Sequence, residues 1–127
     1  MTSTSLAQAL RACASGIYAA EAAAGMLIAH ATWLDRDDFR RFIDAAPGTG
    51  MAAIDWPAAA AALSAGQLPS SQGEQKMLRM AASIAGHAPV ILGDTITGID
   101  DHNIQIVAGA ILHASGQRQF PLNSMII

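Results

Sequence analysis

Gly16 to Leu34 constrains the fold more than any other stretch. It is nineteen residues long and mostly apolar, with one acid, Glu21, and one histidine, His30. The length is close to that of a bilayer span. The composition argues otherwise, because Ala and Gly dominate and a charged run begins at Asp35. A central acid costs about 2.5–3.5 kcal/mol on insertion, whereas each Leu, Ile, Phe or Val returns only about 0.3–0.6 kcal/mol. The remaining reading is a central helix over Ile17–Thr32, apolar all round because other helices surround it. Ala20, Ala24 and Gly25 would let neighbouring helices approach closely. Glu21 then either reaches solvent or pairs with an arginine from another helix. The functional alternative is a buried carboxylate with a raised pKa, usable as an acid or base. His30, nine residues on, is out of its reach on the same helix.

Helix signals recur on both sides. Thr4 or Ser5 would cap a first helix over Thr4–Ser15, with Leu6, Ala9, Leu10 and Cys13 facing inward and Gly16 ending it. Asp35 would cap a third, with Leu34 and Phe39 as its hydrophobic staple and Trp33, Phe42 and Ile43 packing beside them. In that helix Arg36 and Arg40 repel, while Asp37 and Arg41 attract. The stretch Asp44 to Ile54, with Pro47-Gly48-Thr49-Gly50, reads as the longest loop. Asp55 would cap a fourth helix, with Pro57 tolerated in its first turn and Gly66 stopping it. Ser71 and Glu74 form a capping box for a fifth, whose inward face is Met77, Leu78, Met80, Ala81 and Ile84. Asp100 would cap the last helix. There Ile104, Val107, Ala108 and Ile111 make the apolar stripe, widened by Ile106, Ala110 and Ala114, while His102, Gln105, Gly109 and His113 share the other side, and Gly116 closes it. The fold expected is all-α: an irregular or orthogonal bundle of five to six short helices around the buried central one. It is a single domain over residues 1–127, with 117–127 an apolar tail.

Several chemistries are excluded. A net charge of -3 with only seven Lys and Arg leaves no basic stripe for nucleic acid. One cysteine, Cys13, allows no intrachain disulfide and reads as a small core residue. The first residues lack a positive n-region, so no secretory signal is expected. Asp35, Asp37 and Asp38 lack the glycine and twelfth-position Glu of a calcium loop. His102 and His113 share a face but sit roughly 16 Å apart along a helix, too far for one ion; simple exposure is expected of them. No metal, cofactor or catalytic constellation is read from the chain, and no membrane association. Asp94, in the apolar connector His87–Ile99, is the remaining acid of interest; it reads as buried, in a segment that fits either a short strand or a single helical turn.

Two resemblances add to this reading. Ser71-Gln72-Gly73-Glu74-Gln75 resembles the signature loop of ATP-binding-cassette ATPases, and Val90-Ile91-Leu92-Gly93-Asp94 with Thr97-Gly98-Ile99-Asp100 resembles their Walker B strand and D-loop. Thr95 stands where the catalytic Glu of that family follows the Asp. There is no G-x-x-x-x-G-K-[ST] cradle, and Lys76 is the only lysine. The resemblance therefore implies a degenerate fragment acting with a partner ATPase, through Ser71, Gly73, Glu74, Asp94 and Asp100. Separately, EAAAGMLIAHATWLDRDDFRRFI, IDWPAAAAALSAGQLPSS and LGDTITGIDDHN resemble small uncharacterised proteins of high-GC actinobacteria. That likeness implies a bacterial, cytoplasmic setting and no activity.

The leading functional expectation is a non-enzymatic interaction or self-assembly module. Low charge and the tail residues Phe120, Leu122, Met125, Ile126 and Ile127 point to a second copy or another protein as partner. A small-ligand-binding helical domain, with a pocket using Glu21 or Asp94, is the further alternative.

Overall fold

A central helix organises the chain, as its apolar stretch implies. In the computed structural model, which describes residues 2–116, α2 (Tyr18–His30) buries Ala22, Ala23, Ala24, Met26 and Leu27. It packs against α1 (Ser3–Ala14), α5 (Gln72–Ile84) and α7 (Asp101–Ala114). Between them lie a 3-10 turn (Trp33–Asp35), α3 (Asp37–Arg40), strands β1 (Ile43–Ala46) and β2 (Met51–Ile54), α4 (Trp56–Ser64) and α6 (Leu92–Ile96). No helix among the described residues is long and apolar enough to cross a membrane. α2 ends at Ala31, held at φ 69° while its N–H donates to the Leu27 carbonyl. A non-glycine residue in this left-handed region carries strain of about 1–2 kcal/mol.

Three of the expected caps, at Asp55, Ser71 and Asp100, behave as the sequence implies. The Ser71 hydroxyl accepts from Glu74 N–H at 3.2 Å, and the Glu74 carboxylate accepts from Ser71 N–H at 2.8 Å. Asp55 caps α4 through Ala58 N–H, and Asp100 caps α7 through Asn103 N–H. α5 buries Met77, Leu78, Met80, Ala81 and Ala82 on one face. Trp33 ties the 3-10 turn to α5: its indole N–H donates to the Glu74 carbonyl at 2.9 Å, and its ring lies 5.6 Å from that of Phe39.

The molecule is mostly helical but not strictly all-α. Among the described residues there are seven α-helices and one two-stranded antiparallel hairpin. The hairpin replaces the loop expected over Asp44–Ile54, pairing Ile43 with Ile54 and Ala46 with Met51. Its turn is built by Gly48 and Gly50, both at positive φ, and by Thr49, whose hydroxyl donates to the Ala46 carbonyl at 2.7 Å. Alanine-rich strands carry almost no intrinsic β signal. Burial of Ala52 and the packing of β2 against α1 supply what propensity does not.

Other expectations need correction. The third helix begins later than Asp35, which belongs to the 3-10 turn, because that turn puts Trp33, Leu34 and Phe39 into the core together. Its charges regroup as well: Arg36 pairs with Asp38 at 2.6 Å, and Arg40 Nε donates to the Leu34 carbonyl. The first helix is capped by Thr2 and not by Thr4 or Ser5. Cys13 is exposed; the buried stripe of α1 runs Leu6, Ala9, Leu10, Ala14 and passes it by. In α7 Val107 and Ala110 are buried as the widened stripe implies, and Ile111 is exposed. The connector before α7 resolves as the short helix α6, and Asp94 lies exposed in its first turn.

Candidate functional site

Small side chains recur along one face of α2, at Ala22, Gly25 and Ala29, and along α7, at Gly109 and Ala110. On α2 the spacings are three and four residues, which stack positions on a single helix face, while on α7 the two are neighbours. The expected close helix approach at Gly25 does not occur there. A Cβ placed on Gly25 or on Gly109 would meet nothing within 4 Å. What the small residues leave instead is a groove of about 380 Å³, lined also by Met26 and Ile106, by Arg11 of α1 and by Ser15, which caps that helix. That volume falls among those of small-molecule sites.

Polar groups line the same groove. His113 Nε2 lies 2.7 Å from Glu21 Oε1, and the side chains are 33% and 17% exposed. A carboxylate only accepts, so Nε2 carries the proton. The second oxygen of Glu21 accepts from Gly16 N–H at 2.9 Å. The Tyr18 ring meets the imidazole edge-on, with centroids 6.1 Å apart. Glu21 lies in the first turn of α2 and His113 in the last turn of α7. Glu21 was expected to find solvent or an arginine, and it finds a histidine ninety-two residues away. His113, expected to be simply exposed, is half-buried against it.

The other end of the α2–α7 pair is differently built. His30 Nδ1 is buried with no hydrogen-bond partner. Burial lowers the His30 pKa from its ordinary 6.5; the charges of Glu74 and Asp100 oppose that shift, and His102 adds to it. Glu74 is itself held below the usual carboxylate range, first by the Ser71 backbone N–H.

Of the residues singled out from sequence, Ser71, Gly73 and Glu74 open α5 and Asp100 caps α7. The charges of Glu74 and Asp100 both act on His30. Asp94 lines a different cavity of about 430 Å³, with Ser64, Arg79 and Ile91. The tail residues Phe120, Leu122, Met125, Ile126 and Ile127 lie outside the described residues. Arg11, Ser15 and Gln105 were not singled out as site residues. The available signal was the shared face of Gln105, Gly109 and His113, together with two glycines inside helices. Among the described residues no cluster of three or more His, Cys, Asp or Glu side chains is arranged to hold a metal. Compared with protein families, curated proteins and solved structures, the chain matches none.

Proposed function

We propose that the chain is a non-enzymatic binding domain whose ligand site is the groove between α1, α2 and α7. One observation carries this reading: Gly25 and Gly109 sit inside helices, face open space, and line the same groove. Each costs about 0.5–1 kcal/mol relative to Ala. Packing requires neither of them, so the open volume is the feature they preserve. The Glu21–His113 pair supplies oriented polar groups on an otherwise mostly small and apolar surface, the usual make-up of a small-molecule site. A thermal-shift screen of small organic ligands tests this, with Gly109→Leu as the filled-groove control. Compounds that raise the melting temperature of the wild type should leave the variant unmoved. Ligands that stabilise both equally would place binding elsewhere.

A second reading, self-assembly or docking to another protein, is favoured by exposed apolar side chains. Ile91 and Leu92 stand 73% and 49% exposed at the start of α6, and Ile17 and Tyr18 are exposed at the start of α2. Native mass spectrometry of the full chain and of a form lacking the last eight residues tests it. A defined oligomer lost on truncation supports the tail as the contact, and an unchanged monomer in both removes it.

A further inference from the structure

The groove's lining holds one guanidinium, Arg11, and one carboxylate, Glu21, and this step rests on the groove being a ligand site. Glu21 is committed on both oxygens, to His113 and to Gly16 N–H. Arg11, bordering the groove from the last turn of α1, makes no hydrogen bond or ion pair with any described residue. Ser15 and Gln105 border the groove alongside it and can each donate a hydrogen bond. The lining offers Ala22, Met26, Ile106 and Ala110 to an apolar body. A guanidinium presents a planar fork of donors that matches a carboxylate, a geometry an ammonium group would not use. We propose that the groove takes a small monocarboxylate with an apolar body, the carboxylate on Arg11 and the body along Gly25 and Gly109.

Matched eight-carbon probes decide the point on the full chain. Octanoate, 1-octanol and octylamine share a body and differ in the charge of the head. Protein-observed NMR should show all three perturbing the Gly25 and Gly109 amides. Octanoate should bind about five-fold more tightly than 1-octanol, the worth of one solvent-facing charge contact. Arg11→Gln should remove that preference and leave the affinity for 1-octanol unchanged. Equal binding of octanoate and 1-octanol, or tighter binding of octylamine, would overturn the carboxylate assignment while leaving the groove as a ligand site. If no probe perturbs those amides, the ligand-site reading itself falls.

Discussion

At one end of the α2–α7 pair, His113 meets Glu21 at 2.7 Å beside an open groove. At the other, His30 keeps a buried Nδ1 without a partner, three residues before the fully buried Trp33. The same residue type meets two environments on one pair of helices. At the first end polar groups satisfy each other and the volume between the helices stays empty. At the second a buried polar atom is left unpaired. Packing at one end of a bundle and access at the other are separate design problems, and this chain solves them with different residues.

Removing bulk from the packed end should have the largest effect. Trp33→Ala deletes a fully buried ring and its hydrogen bond to the Glu74 carbonyl, and should lower stability by about 3–5 kcal/mol in urea unfolding. Breaking the open end should cost less. Glu21→Gln or His113→Ala should each lose about 1–2 kcal/mol, and a double-mutant cycle should return a coupling of similar size. Additive losses would mean the two side chains do not interact in solution.

Three substitutions should go the other way. His30→Leu removes an unpaired buried nitrogen at similar volume and should raise stability by about 1 kcal/mol. The sign with pH follows from the lowered pKa. Below 6.5 the unfolded chain binds the His30 proton more readily than the folded one, so stability falls as pH drops through that window and is fully present above it. The leucine variant should show a flatter profile there. Smaller still, Gly25→Ala and Gly109→Ala should each gain about 0.5–1 kcal/mol, because an added methyl group meets no neighbour. A loss at either position would show that the groove is closed in solution.

Legibility in the sequence followed locality. Caps at Asp55, Ser71–Glu74 and Asp100 depend on residues three apart and were readable in place. So was the central helix, since an apolar stretch with one acid has few other uses. The hairpin was hidden by alanine strands whose pairing is stabilised by α1, a tertiary effect. Cys13 and Ile111 were misplaced by about one position around a helix, which apolar periodicity resolves poorly when alanines fill both faces. The candidate site was visible in halves: Glu21 as an unexplained acid, and His113 with Gln105 and Gly109 as a polar face. Their meeting spans ninety-two residues and is set by how α2 and α7 pack, which no local pattern encodes.

The most direct measurement is the map of amide shift changes when an isotope-labelled full chain is titrated with a library of small organic fragments. The expected result is that fragments which bind perturb Gly25, Gly109 and His113 together, and that Gly109→Leu abolishes the response. Binding that instead maps to the cavity of Arg79 and Asp94, or a response that survives Gly109→Leu, would contradict the groove as the site.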